Sequence, residues 1–254
     1  MDDIFAKVEE LKRSGKNAAL CIVIETTGST PRKAGSKMLV TETGETFGTI
    51  GGGSVELKMI AEAMSVIGHN EPKKISLSLE TDANMHCGGT MEIYIEPINP
   101  LIPLVIFGAG HVGSALAHYA KDFGFKITFV DFRTEILKKL HDQGYDIIEK
   151  NFVEAAIEAD FNEKTCIVVT TPKHEFDEQV TGICAKKKFR YLGMIGSKRK
   201  VATAKQNYLS TGLLNEEEIG KIDMPIGIKF NAQTPEEIAI SILAKLIDVK
   251  NGEV

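Results

Sequence analysis

"VIFGAGHVGSALAHYA", residues 105–120, decides how the second half of the chain is read. The apolar run ahead of Gly108 has the character of a strand buried on both faces. Gly108-Ala109-Gly110-His111-Val112-Gly113 then fits the GxGxxG pattern of a strand-to-helix turn. The following residues predict an amphipathic helix with Val112, Ala115, Leu116, Tyr119, Ala120 and Phe123 on its apolar face. In such a turn the first glycine permits the tight bend and the second lets backbone approach a pyrophosphate. The third lets the helix pack closely, and the helix N–H groups face the anion. Asp131 ends the next strand at the distance where a carboxylate meets a ribose diol. Arg133 instead favours a phosphorylated ribose.

Working outward, strand "LVIF", a helix from His111, strand "KITFV", a helix near Arg133 to Leu140, strand "YDIIE" and then strand "CIVVTT" follow in strand–helix alternation; "RYLGMIG" adds a strand and "TPEEIAISILAKLIDV" a closing helix. This alternation predicts a Rossmann-like parallel sheet with helices on both faces. "EPINPLIP", Glu96 to Pro103, carries three prolines that a regular element should not cross, and it marks the boundary between halves. The expected fold is therefore α/β, with a smaller N-terminal mixed α/β domain (1–98) and a C-terminal dinucleotide-binding domain (99–254). In the first half, Ile4, Phe5, Val8 and Leu11 share a helical face capped by Asp2 or Asp3. "ALCIVIE" reads as a doubly buried strand and "SKMLVTETGETFGTI" as a hairpin turning at Thr43-Gly44. Leu57, Ile60, Ala61, Met64 and Ile67 form the expected inward stripe of a helix, with strands "KKISLSLE" and "TMEIYIEP" after it.

The 254 residues, 43% hydrophobic and 26% charged, have ordinary globular composition. A net charge of −5 and the absence of Trp argue against nucleic acid as a partner. The N-terminus has no signal-peptide pattern, and the longest apolar stretch is broken by glycines, so no membrane span is expected. Four cysteines without zinc spacing give no metal site and suit a reducing cytoplasm.

Further stretches carry chemistry. "GMIGSKRK" places Gly196, Ser197 and Lys198 between a strand and a helix. Its first-turn cations, Lys198, Arg199 and Lys200, oppose the helix dipole, which either a bound phosphate or simply a solvated basic turn would explain. In "TPKHEFDEQV", His174 and Asp177 share a helix face at a strand's C-terminal end, either as an acid–base pair or as a surface His and a capping Asp. "TTGSTPRKAG", "TIGGGSVE" and "MHCGGT" hold more glycine than turns require, which implies closely approaching backbones or a backbone wrapped on a ligand. Ser29 and Arg32 lie in the first, Gly52, Gly53 and Glu56 in the second. Cys87 in the third is a loop thiol beside His86, whereas Cys21, Cys166 and Cys184 fall in buried elements. Cys87, Glu56, His174 and Asp177 are the candidate reacting groups. The three glycines of the turn (Gly108, Gly110 and Gly113), His111, Val112, Asp131 and Arg133, with Ser29, Arg32, Gly52, Gly53 and Gly196–Lys198, are the candidate binding groups.

Taken in order, several pieces resemble the xanthine dehydrogenase accessory factor family (XdhC/CoxI). They are Gly28-Ser29-x-Pro31-Arg32 with Gly35 and Met38, Gly51-Gly52-Gly53-x-x-Glu56, Cys87-Gly88-Gly89, "FGAGHVGSALA", "VD" with Arg133, "HEFD", "GMIGSKRK" and "TPEEIAISILA". The resemblance implies binding of the molybdenum cofactor, a phosphorylated pterin (molybdopterin) that many bacteria carry as a dinucleotide. It also implies support of sulfuration and delivery to a molybdenum hydroxylase client of xanthine dehydrogenase type, with a cysteine desulfurase as sulfur source. Some members have Cys after the glycine triplet where this chain has Ser54, which leaves Cys87 as the expected thiol ligand or sulfur relay. The expected arrangement rests the phosphate or nucleotide on Gly108–Gly113 and Ser197–Lys198. The dithiolene–molybdenum end faces Cys87, Arg32 and Gly51–Gly53 in a cleft between halves. A maturation chaperone, homodimeric like most soluble assemblies, is expected rather than a turnover enzyme. The rival is an NAD(P)-dependent oxidoreductase with His174 or His111 as acid, and a nucleotide-sensing module is a third reading.

Overall fold

The computed structural model describes residues 3–80 and 88–252. The chain divides into two compact units, residues 1–101 and 102–254. In the first, α1 (Ile4–Arg13), β1 (Ala18–Thr27), β2 (Lys37–Thr41), β3 (Thr46–Gly48), α2 (Gly53–His69), β4 (Lys73–Ser78) and β5 (Thr90–Ile98) follow in order. The strands make one antiparallel sheet, β3-β2-β1-β5-β4. β1 is apolar without alternation because the sheet is covered on both faces. Ala19, Cys21 and Val23 pack in a cluster with Val55, Met59, Ala63 and Val66 of α2. Ala18 and Leu20 pack instead with Val8 and Leu11 of α1. Asp3 caps α1 by accepting from the Phe5 N–H.

Two stripes differ from the sequence expectation. α2 buries Val55, Met59, Ala63 and Val66, while Leu57 is 71% and Met64 45% exposed. Ile60 and Ile67 pack partly against the core. The helix is apolar around most of its circumference, so periodicity alone does not fix its rotation. In α1, Phe5 is exposed. The prolines also fall inside strands: Pro97 in β5, and Pro103 in β6 (Ile102–Phe107). β5 pairs with β4 only as far as Ile95, and β6 pairs on its second side only from Leu104, so neither proline interrupts a two-sided ladder.

The second unit continues with α3 (His111–Ala120), β7 (Phe125–Asp131), α4 (Thr134–Asp142), β8 (Asp146–Glu149), α5 (Phe152–Glu158), β9 (Cys166–Val169), α6 (His174–Cys184), β10 (Tyr191–Met194), α7 (Lys198–Ser210), α8 (Glu216–Gly220) and α9 (Pro235–Asn251). Its five strands are parallel in the order β10-β9-β6-β7-β8. Chain order therefore reverses between β6 and β9, the switch point where α/β sheets open a ligand crevice. One face packs with α3 and α9 (Leu116, Ala120, Ile242, Leu246), the other with α5, α6 and α7 (Phe152, Val180, Val201, Tyr208). α3 buries Leu116, Ala117 and Ala120, with Val112, Ala115 and Tyr119 partly buried against the same cluster. Phe123 departs from the expected face. The helix gives way to a 3-10 turn at 121–123, and the ring ends up 44% exposed. Among the described residues, no helix is long and apolar enough to cross a membrane.

Candidate functional site

The three glycines of the β6–α3 turn do different things. Gly108 adopts φ +109, and a Cβ there would lie 2.2 Å from the Thr170 carbonyl oxygen. A Cβ on Gly113 would meet the Gly108 oxygen at 2.1 Å, so α3 sits too close to β6 for any side chain at that point. Around Gly110 there is nothing within 4 Å. Gly110 is also the N-cap of α3 and offers no side-chain cap, so the helix begins with open N–H groups beside open space. A cavity of about 770 Å³ lies against this turn, lined by Gly110, His111, Val112, Arg133, Thr171 and Pro172 among others.

Asp131 is fully buried behind the turn. Its Oδ2 accepts from the Ala109 N–H (2.8 Å) and Arg133 Nη2 (2.6 Å). Oδ1 accepts from the N–H groups of Phe132 and Arg133 and from Arg133 Nε (2.9 Å). Burial pushes this carboxyl up, but the Arg133 guanidinium and the Ala109 and Arg133 amides outweigh it and hold it below its ordinary range. In this geometry both oxygens are used within the fold. Asp131 fixes the turn, and Arg133 is the member of the pair that lines the cavity.

A second cavity, about 1000 Å³, shares Thr171, Pro172 and Ile195 with the first and extends to His174, Asp177, Gly196, Ser197, Lys198 and the 223–232 loop. Asp177 Oδ1 accepts from the Thr171 N–H (2.8 Å) and Thr171 Oγ1 (2.7 Å). Burial pushes this carboxyl up to about 6 despite those bonds and the nearby His174 and Lys200. Ser197 caps α7 by accepting from the Lys200 N–H. Sequence reading missed Asp223. This residue follows β10 by a long excursion, accepts from Tyr191 Oη (2.5 Å) and the Gly227 N–H (2.9 Å), and so anchors the far wall. No local pattern marks it, because its partners are 4 and 32 positions away in sequence.

In the N-terminal unit the three glycine-rich stretches meet. A Cβ on Gly51 would strike Pro31 Cγ at 2.7 Å, and one on Gly89 would strike the Ser29 oxygen at 2.3 Å. Gly28, at φ +68, lies against Gly88. Close backbone approach thus accounts for the glycine density. Glu56 Oε1 accepts from Thr49 Oγ1 (2.5 Å) and the N–H groups of Ile50 (3.1 Å) and Gly52 (2.9 Å). Burial raises this carboxyl, yet the hydrogen bonds lower it further, so it stays ionised and holds the Gly51–Gly53 turn. Arg32 is exposed beside Pro31. Cys87 lies outside the described residues. Cys21, Cys166 and Cys184 are buried, which pushes each thiol up to about 12.

Residues 104–246, more than half of the chain, match the model of the XdhC Rossmann domain, and residues 11–78 match that of the XdhC and CoxI family. The chain belongs to the XdhC family. An uncharacterized protein of Escherichia coli (strain K12), YqeB, is 31% identical over 256 residues, covering 98% of this XdhC-family chain and 47% of YqeB. A probable xanthine dehydrogenase subunit of Bacillus subtilis (strain 168) is 26% identical over 166 residues, 65% of this chain and 48% of that protein. The chain thus spans about half the length of these two relatives. The molybdenum cofactor insertion chaperone PaoD of Escherichia coli (strain K12) is 24% identical over 276 residues, 95% of this chain and 86% of PaoD.

Proposed function

We propose that this XdhC-family chain is an accessory factor. It binds the molybdenum cofactor, supports its sulfuration, and supports its insertion into a molybdenum hydroxylase client of xanthine dehydrogenase type. The observation that carries the reading is the uncapped α3 N-terminus at Gly110 with open space before it, in a chain similar along nearly its whole length to a molybdenum cofactor insertion chaperone. That space and those N–H groups fit the phosphate of a pterin or of its dinucleotide form. When bound, the group would supply a dithiolene-held molybdenum centre, the redox chemistry that a hydroxylase client needs.

The chain's own groups divide the work. The N–H groups at Gly110, His111 and Val112 hold phosphate, and Arg133, fixed by Asp131, adds charge at the cavity wall. Within the N-terminal unit, Ser29, Arg32, Gly52 and Gly53 are the candidate binding groups, with Glu56 as the group that holds their loop. Cys87 is assigned as the thiol that ligates the metal or relays sulfur from a cysteine desulfurase.

A second reading, an NAD(P)-dependent oxidoreductase, draws on the same glycine turn and strand order. Anaerobic equilibrium binding separates the two. The chain is expected to bind molybdenum cofactor, to lose it in Gly110→Asp, and to lose delivery to an apo-hydroxylase in Cys87→Ser. Tight binding of NAD(H) or NADP(H) with no affinity for the pterin would overturn the proposal in favour of the oxidoreductase.

A further inference from the structure

The polar groups lining the second cavity do not balance one another. Its two carboxylates have internal partners: Asp177 accepts two hydrogen bonds from Thr171, and Asp223 accepts from Tyr191 and Gly227. Its donors do not. Both ring nitrogens of His174 are shielded from solvent and have no hydrogen-bond partner. Lys198, Lys200 and Lys229 line the same space and form no ion pair among the described residues. Lys198 and Lys200 also sit in the first turn of α7, where a cation opposes the helix dipole. Ring nitrogens shielded from solvent without a partner are left unsatisfied, and the lysines put like charges around the same space. A single anion entering the cavity removes all three penalties.

We propose that this cavity is a binding site for an anionic group of the phosphate class, separate from the Gly108–Gly113 turn. His174 is the hydrogen-bond donor, and Lys198 and Lys200 supply the charge. The two cavities share Thr171, Pro172 and Ile195, so one ligand with phosphates at two places reaches both. That second step rests on the cofactor reading above; the anion site itself does not.

The test uses the full chain with ¹⁵N-labelled histidine, titrated with inorganic phosphate at fixed pH against chloride of matched ionic strength, with His174→Asn assigning the resonance. The His174 ring signals are expected to move saturably in the wild type and equally in Gly110→Asp, which closes only the first site. In Lys198→Gln/Lys200→Gln, whose side chains are solvent-facing and leave the fold intact, the affinity should fall at least about tenfold, as loss of two charge-assisted contacts implies. No saturable movement, movement abolished by Gly110→Asp, or unchanged affinity in the double variant would each overturn the site. Phosphate binding at His174 in a chain that fails to bind molybdenum cofactor would refute the proposed function and leave this site standing.

Discussion

Replacing the turn glycines one at a time should separate the residues that build the Rossmann unit from the one that leaves room for a ligand. Gly113→Ala places a methyl 2.1 Å from the Gly108 oxygen and 3.1 Å from Ile106 Cγ2, both deep in the core. Overpacking of this kind costs about 1–3 kcal/mol, and the better helix propensity of alanine returns about 1. The expected net loss is about 2 kcal/mol, the upper end of that range, because the clash at 2.1 Å is with backbone and cannot be relieved by a rotamer change. Gly108→Ala meets Thr170 at 2.2 Å and must also hold φ +109, which adds about 1–3 kcal/mol of backbone strain. Its loss should be about 4 kcal/mol. Gly110→Asp meets nothing within 4 Å, and its backbone, at φ −77, is open to any residue. Asp is a good N-cap and its charge suits a helix N-terminus, so stability should hold or rise by about 0.5–1 kcal/mol. Its carboxylate nevertheless fills the mouth of the turn and should abolish anion binding at the start of α3. Four of the five tyrosines (119, 145, 191 and 208) belong to this unit, so urea unfolding followed by tyrosine fluorescence reports it directly. A destabilised Gly110→Asp beside neutral Gly108→Ala and Gly113→Ala would refute the packing argument. A stable Gly110→Asp that binds cofactor like the wild type would refute the turn as the anion site.

The carboxylates give three further tests with opposite pH signs. Asp131→Asn turns an acceptor toward Arg133 and Ala109 into a donor, and loss of a buried paired charge should cost about 3 kcal/mol by urea denaturation. Because Asp131 is held below its free value, its contribution is complete above about pH 4 and is lost as pH falls through the folded value. Arg133→Gln should therefore flatten the acid limb of the stability profile. Asp177 works the other way: the folded form keeps its proton to about 6 against 3.8 when free, so stability falls as pH rises between those values. Asp177→Asn, whose oxygen still accepts from Thr171, should remove that slope and raise stability at pH 7 by up to about 3 kcal/mol. Among the thiols, Cys21, Cys166 and Cys184 should resist alkylation in the native protein, so any rapid labelling by iodoacetamide should vanish in Cys87→Ser, a result read by mass spectrometry.

Much of the second unit was legible because its signals are local. A strand, a GxGxxG turn and a helix lie within sixteen consecutive residues, and each glycine's role follows from where its missing Cβ would fall. β1 was legible for a similar reason, since a run without alternation requires cover on both faces. The rotation of α2 was not. Val55, Leu57, Met59, Ile60, Ala63, Met64, Val66 and Ile67 offer two overlapping apolar stripes. The choice is fixed by Glu56, whose hydrogen bonds to Thr49, Ile50 and Gly52 set the helix phase from outside it. α5 was missed because seven residues between two strands give too few turns for a period to emerge. Asp223 was beyond reach for another reason: only the folded loop brings it to Tyr191 and Gly227.

Asp131 and Glu56 make one structural point in two unrelated settings. Each is a carboxylate near a glycine-rich turn at a helix N-terminus, and each accepts backbone N–H groups from that turn. A turn rich in glycine has conformational freedom to lose, and a phosphate-binding loop gains affinity when that loss is met before the ligand arrives. An anion placed behind the turn does this without competing for its open side: Asp131 engages Ala109, one residue ahead of the uncapped Gly110, and leaves the start of α3 exposed. The acid twenty-odd residues after a glycine turn therefore has two available roles, facing the ligand or bracing the loop, and sequence spacing is the same for both. Here a buried side chain with five accepted hydrogen bonds braces the loop. The consequence is that affinity at the Gly108–Gly113 turn should depend on Asp131 through the order of that turn, so that a variant at this position weakens every anionic ligand of the turn alike, pterin or nicotinamide, in place of discriminating between riboses.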